Sequence, residues 1–303
     1  MDVHRADPAV VRLERATKRF GEVVALNGVD LEIRRGEFVA LLGPNGAGKT
    51  TAISLMLGLR RPTAGRAELL GAVPTDRAAR SRCGVMLQES GVPPLLTVRE
   101  VVRLFRSHYP HPRPVDEVLA MASLQGKAGA RVAGLSGGER QRLYYAIAIC
   151  GDPDVLFLDE PTAGMDVESR HRLYDELRAF SASGRTVLLT THYLEEADRL
   201  AGRVVVIDHG RVVVEGTPAE IKARVPGRHV TVRATRALTA ADFAGLPVGR
   251  LQVAGDGATL LTNDPVAVVQ GLIGRQVPLV DLEVTGAALE DAFLTLTGMG
   301  RAQ

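Results

Sequence analysis

Two kinds of hydrophobic pattern alternate along the chain. From Val10 to Arg35 apolar and polar residues alternate, which predicts antiparallel strands that turn at Phe20–Glu22 and again at Asn27–Gly28. "EFVALLG" (37–43) is instead a short continuous apolar run, the mark of a central strand covered on both faces. "TTAISLMLGL" (50–59) then takes up helical spacing, and "RCGVMLQ" (82–88) returns to a strand. From Thr97 to Ile149 the pattern is mostly helical, broken at "YPHPRP" (109–114) and "LSGG" (135–138). Buried-strand runs resume at "DVLFLDEP" (154–161), "RTVLLTTH" (185–192) and "RVVVIDHG" (203–210), with helices between them. Strands alternating with helices define the α/β class: a parallel or mixed sheet with flanking helices. An antiparallel β subdomain precedes it and a helical subdomain is inserted at about 90–150.

The pattern shifts near "ARVPGRHV" (223–230), which divides the chain into a domain 1–224 and a small α+β domain 225–303. Beyond that point the spacing predicts strand 229–235, helix 239–244, hairpin strands 249–255 and 258–263, helix 264–274, strand 277–284 and helix 287–297. Asp264 and Pro265 form a good N-cap and first-turn pair. This β-α-β-β-α-β order suggests a ferredoxin-like unit. In the last helix Leu289, Ala292, Phe293 and Leu296 share one face.

Composition adds exclusions. With 46% hydrophobic and 24% charged residues and a formal net charge of +2, the chain makes no case for a nucleic-acid partner. Its positive charge is almost all arginine; the lysines are Lys18, Lys49, Lys127 and Lys222. That bias, with abundant Ala, Gly and Val, points to a GC-rich bacterial genome. Cys83 and Cys150 stand apart from any Cys/His cluster and read as packed, reduced thiols. The N-terminus lacks the apolar core of a signal peptide. No apolar run approaches the ~18–20 residues that cross a bilayer, so a membrane role has to come through a partner chain.

Three stretches carry chemistry. Gly43-Pro44-Asn45-Gly46-Ala47-Gly48-Lys49-Thr50 fits G-x-x-x-x-G-K-[ST], after a strand and before a helix. The glycines turn backbone N–H groups inward around phosphates, and the helix N-terminus adds positive charge. Lys49 is placed for the β- and γ-phosphates, Thr50 for Mg²⁺ and Thr51 for a further phosphate contact. "VLFLDE" (155–160) ends a buried strand in two acids. Beside a phosphate loop, Asp159 suits Mg²⁺ and Glu160 suits the general base that polarises attacking water. "LSGGERQR" (135–142) opens a helix with a hydroxyl and free N–H groups, either a second anion site or an ordinary N-cap turn.

Taken in order, "RFG" (19–21), "GPNGAGKTT", Gln88 in "MLQES", "LSGGERQR", "VLFLDEP", "AGMD" (163–166) and His192 in "TTH" resemble the nucleotide-binding subunit of ABC transporters over residues 10–222. The resemblance implies a P-loop NTPase core and an ATPase that uses ATP and Mg²⁺. It implies that Phe20 stacks on adenine, with a core phenylalanine as the alternative. Gln88 would meet Mg²⁺ and report nucleotide state, and His192 would contact the γ-phosphate. Asp166 would link the two sites of a dimer, or simply cap a helix. Leu135, Ser136, Gly137, Gly138 and Glu139 would meet the ATP held by another subunit. Glu139 replaces a common glutamine and is expected to point outward from that contact. Met165 replaces a common leucine.

In the family it resembles, the signature faces the phosphate loop of another subunit; with one of each here, the resemblance implies a head-to-tail homodimer, coupled to an integral membrane permease at the cytoplasmic face of the cell membrane. The tail "LEDAFLTLTG" (289–298) and "QESGVPPLLTVRE" (88–100) are similar to the drug- and antibiotic-exporting branch, which implies export. Rival readings are an ATPase of translation or DNA maintenance, a GTPase or kinase, and a catalytically dead module. One cassette, no sustained heptads in 52–134, no N-K-x-D motif and an intact Glu160 and His192 weigh against them.

Overall fold

A computed structural model describes residues 9–87, 91–224 and 226–297. The chain forms two compact units, one ending at Glu215 and the other beginning at Gly216.

In the first unit β1 (Ala9–Phe20) and β2 (Val23–Arg34) form a long antiparallel pair. The turn at Gly21–Glu22 is as expected, but no second turn occurs at Asn27–Gly28. Both residues lie inside β2, where the register jumps between Ala16↔Val29 and Lys18↔Leu26 and Gly28 has φ 65°. Asn-Gly supplies the left-handed backbone that a β-bulge also needs. Next come β3 (Phe38–Leu42), α1 (Lys49–Met56) and β4 (Ala64–Leu69), which pairs with β1 to complete a three-stranded sheet. After α2 (Arg77–Arg80) and β5 (Cys83–Met86), the helical subdomain holds α3 (Val98–Arg106), α4 (Val115–Met121) and α5 (Gly137–Ile149). Thr97 and Glu100 close a capping box on α3, and α5 packs against α3, α4 and β5.

The remainder of this unit alternates: β6 (Val155–Asp159), α6 (Val167–Ala182), β7 (Thr186–Thr191), α7 (Leu194–Leu200), β8 (Arg203–Asp208) and β9 (Arg211–Gly216). A six-stranded sheet runs β5-β6-β7-β3-β8-β9, and its first five strands are parallel. Every residue of β3, β6 and β7 is buried, which is why β3 and residues 155–158 of β6 read as unbroken apolar runs and β7 carries no charged residue. Leu41, Phe157, Leu188 and Val205 from this sheet share one core with Leu13, Leu26 and Ile33 of the antiparallel sheet and Ile53 and Met56 of α1. Because β3, β6 and β7 are adjacent and parallel, the loops after them leave at the same edge, the place where open α/β sheets bind ligands.

The second unit comprises α8 (Pro218–Ala223), β10 (Arg228–Ala234), β11 (Leu251–Ala254), β12 (Gly257–Thr262), α9 (Pro265–Gly274), β13 (Leu279–Gly286) and α10 (Leu289–Leu296). Its sheet is antiparallel throughout, in the order β11-β12-β10-β13. Val230, Val232, Phe243, Leu260, Val268 and Leu272 form its own core. Two details differ from the sequence reading. The division falls at 215/216 rather than 224/225, because α8 packs with α10 of this unit. The helix expected at 239–244 is a single 3₁₀ turn, Ala240–Phe243, which Gly245 at φ 73° brings to an end. On α10 Leu289 and Ala292 are buried and Phe293 is half-buried; the side chain of Leu296 lies outside the described residues. Among the described residues no helix is long and apolar enough to cross a membrane.

Candidate functional site

The phosphate loop is shaped by what its glycines exclude. A Cβ on Gly43 would lie 2.3 Å from the Ile207 carbonyl oxygen, and one on Gly48 2.6 Å from that of Ala25. Gly46 and Gly48 hold φ 81° and 109°, which other residues rarely adopt. Helix α1 therefore begins on Gly48, with no side chain capping its first N–H groups. Such open donors at a helix N-terminus attract anions. Lys49 is only 7% exposed and folds back across the loop. Its Nζ donates to the carbonyls of Gly43 at 2.6 Å and Pro44 at 3.1 Å. Burial pushes its pKa below the usual 10.5, while the Glu160 and Asp159 charges oppose that shift. A cavity of about 240 Å³ opens here, lined by Asn45, Gly46, Lys49, Thr50, Thr51 and Glu160 among others.

Two acids leave the end of β6 with different surroundings. Asp159 is 2% exposed and accepts hydrogen bonds from Thr50 Oγ1 at 3.1 Å and from Thr190 Oγ1. Thr50 and Asp159 thus present hard oxygen atoms side by side, the donor set that Mg²⁺ takes. Glu160 stands in the left-handed region at φ 51°, with its N–H bonded to the Thr190 carbonyl at 3.0 Å. A non-glycine residue held there carries local strain of the kind found at working sites. His192 Nδ1, from the loop after β7, lies 3.2 Å from Glu160 Oε1. Five of the residues singled out in the sequence — Lys49, Thr50, Asp159, Glu160 and His192 — are therefore linked by direct contacts or a shared cavity wall.

The signature residues form a second locus. Ser136 is the exposed N-cap of α5: its hydroxyl accepts from Glu139 N–H at 3.3 Å, and its own N–H donates to Glu139 Oε2 at 2.9 Å. Glu139 does not point outward from the serine, as the sequence reading had it; it reaches back to close the capping box. Lys127 Nζ pairs with Glu139 Oε1 at 3.0 Å, and the Ser136 N–H and this lysine hold the carboxyl below its usual range. Leu135 and Gly138 are buried and Gly137 is exposed. Asp166 caps α6 through Ser169, at 2.8 Å to both its N–H and its Oγ, and Arg142 of α5 donates to the same Ser169 Oγ at 2.7 Å. Gln141 of α5 also donates to Ala163 O at 3.2 Å, so the 163–169 segment is tied to the signature helix. Phe20 is no core residue: it is 39% exposed, with Arg60 and Lys18 about its ring at 5.0 and 5.3 Å. Gln88 lies outside the described residues.

The sequence reading missed three contributors: Thr190 on Asp159, Lys127 on Glu139, and Glu196 on α7. Only Glu196 left a usable signal. Ala197 and Leu200 mark the buried face of α7, and Glu196, four residues before Leu200, falls on that face.

Fold and site together define a P-loop ATPase of the α/β class. The ABC transporter family profile matches residues 26–163. The chain is 38% identical over 298 residues to the Nod factor export ATP-binding protein I of Cupriavidus pinatubonensis, covering 96% of this chain and 91% of that protein. It is 38% identical over 305 residues to the same-named protein of Burkholderia lata, covering 96% and 97%. Among solved structures, the ATP-binding subunit of an ABC transporter aligns with TM-score 0.65 at 27% identity, over 71% of this chain and 92% of that one. A dimeric bacterial ABC transporter cassette aligns with TM-score 0.62 at 30% identity, over 68% and 98%. The chain belongs to the ABC transporter family as an ATP-binding subunit. The GTPase and kinase readings are set aside accordingly.

Proposed function

We propose that two copies of this chain pair head to tail around two ATP molecules and power export of a small drug-, antibiotic- or lipid-like molecule. A separate integral membrane permease would carry the cargo, with this subunit at the cytoplasmic face of the membrane. The observation that carries the reading is the junction of Lys49, Thr50, Asp159, Glu160 and His192 at the ends of three parallel strands, while Ser136 and Gly137 stand exposed at another helix N-terminus. The dimeric cassette among the similar structures supports the pairing, and the Nod factor exporters support the direction. The net charge of +2 favours no nucleic-acid partner.

In this reading Lys49 exchanges the Gly43 and Pro44 carbonyls for phosphate oxygens. Phe20 stacks on adenine, worth about 1–3 kcal/mol. Thr50 and Asp159, joined by Gln88, are the residues that hold Mg²⁺, which when bound neutralises charge on the phosphates. Glu160 accepts a proton from water as the water oxygen bonds to the γ-phosphorus and the bond to the β–γ bridging oxygen breaks. His192, beside Glu160, orients the γ-phosphate. Ser136 and the α5 N–H groups of the second copy close the site, and Asp166 carries information between sites.

Glu160→Gln tests this. It should keep ATP affinity, slow hydrolysis about 10²–10⁴-fold and leave an ATP-bound dimer visible by light scattering. A variant that turns over normally, or stays monomeric at saturating ATP, removes the reading.

A further inference from the structure

One buried carboxylate is absent from that account. Glu196 is 0% exposed in the first turn of α7, four residues after His192. Its Oε1 accepts from two hydroxyls: Thr162 Oγ1, and Tyr174 OH of α6 at 3.2 Å. Its Oε2 is buried without a hydrogen-bond partner. A buried acid with one oxygen bonded twice and the other not at all is an expensive way to hold three segments together. An apolar residue would fill the space at less cost, so the acid is kept for what it joins.

What it joins is specific. Thr162 follows Glu160 by two residues, and Ala163 N–H returns to the Glu160 carbonyl at 3.2 Å. Glu160 is strained at φ 51°, so its side chain stays aimed only while the segments on either side are fixed. The entry side is fixed by the Glu160 N–H bond to Thr190. The exit side is fixed at Thr162, by Glu196. The same carboxylate anchors the helix that directly follows His192 and, through Tyr174, the helix that Asp166 caps.

We infer that Glu196 is a positioning residue, which locks Glu160 and His192 into one geometry by tying Thr162 and Tyr174 to the start of α7. The inference rests on the roles given above to Glu160 and His192. Glu196 is buried and does not line the cavity beside the phosphate loop, so its signature is loss of turnover without loss of ATP binding.

The test uses the full chain and four variants, read by steady-state ATPase kinetics, fluorescent-nucleotide affinity and thermal unfolding. Glu196→Ala should lower kcat about 10- to 100-fold, the scale of a small misplacement of reacting groups, with nucleotide affinity within about twofold of the parent. Glu196→Gln keeps an acceptor oxygen and should retain kcat within about threefold. Tyr174→Phe removes only a hydroxyl and Thr162→Val only one donor; each should show a smaller kcat loss with unchanged affinity. These two keep the test decisive if Glu196→Ala fails to fold. Folded Glu196→Ala, Tyr174→Phe and Thr162→Val with normal kcat, or with kcat and affinity falling together, overturn the inference, as does a Glu196→Gln as slow as Glu196→Ala. If Glu160→Gln itself hydrolyses normally, the underlying site reading has failed; if Glu160→Gln is slow while Glu196→Ala and Tyr174→Phe are fast, only this inference has.

Discussion

Lys127→Ala offers a sharp test of the paired-subunit reading. Lys127 Nζ lies 3.0 Å from Glu139 Oε1, and that carboxylate also accepts the Ser136 N–H at 2.9 Å. In the dimer, ATP phosphates would approach Ser136 and with it the Glu139 carboxylate; the working separation between the two charges is taken as about 6 Å. At an effective dielectric constant of about 60, between water and a protein surface, two unit charges at that distance repel by about 0.9 kcal/mol. Removing Lys127 leaves that repulsion uncompensated, so the ATP concentration for half-maximal dimerisation should rise about fivefold. The assay is light scattering across an ATP titration, in a Glu160→Gln background that stops turnover. Adding Glu139→Gln should restore the parental midpoint, because glutamine keeps the capping box without the charge. Raising the salt to about 1 M should shrink the effect, since screening then acts within ~3 Å. An unchanged midpoint in Lys127→Ala, or a loss that Glu139→Gln leaves intact, refutes the reasoning.

Two further outcomes follow from the loop. Lys49 has its pKa depressed by burial, so the apo protein sheds that proton below pH 10.5 and gains stability as pH rises through the folded value. ATP binding needs the ammonium, so affinity should be highest below that value and fall as pH rises through it, before 10.5, with proton uptake visible by titration calorimetry in buffers of different ionisation enthalpy; affinity that is flat up to that pH contradicts the account. Gly48→Ala adds a Cβ 2.6 Å from a backbone carbonyl at φ 109°, whereas Gly46→Ala at φ 81° meets no atom within 4 Å. The second should cost only left-handed strain of about 1–3 kcal/mol, and the first more, so calorimetry should give Gly48→Ala the lower Tm and nucleotide titration the weaker ATP binding.

Much of this molecule is legible from its sequence because its central strands are buried on both faces. An unbroken run such as 155–158 has few other places to go, and the acids that end it mark the strand's carboxyl edge. Glycines at 43 and 48 are legible for a similar reason, since their neighbours leave no room for a side chain. Asn27–Gly28 misled because a left-handed backbone serves a bulge as well as a turn. Residues 239–244 misled because local spacing does not reveal that Gly245 stops the helix after one turn. Glu139 was misjudged although Ser136-x-x-Glu139 has the local spacing of a capping box; only its second partner, Lys127, lies in another segment. Thr190 meets Asp159 across 31 residues, which no local pattern encodes; for Glu196 the helical spacing marks a buried position, while its partner Thr162 lies 34 residues away.

The C-terminal unit keeps a hydrophobic core of its own. A module with its own interior and none of the nucleotide-handling groups can be grafted, traded or allowed to drift without retuning the motor. Substitutions confined to that interior leave the packing around the phosphate loop as it is.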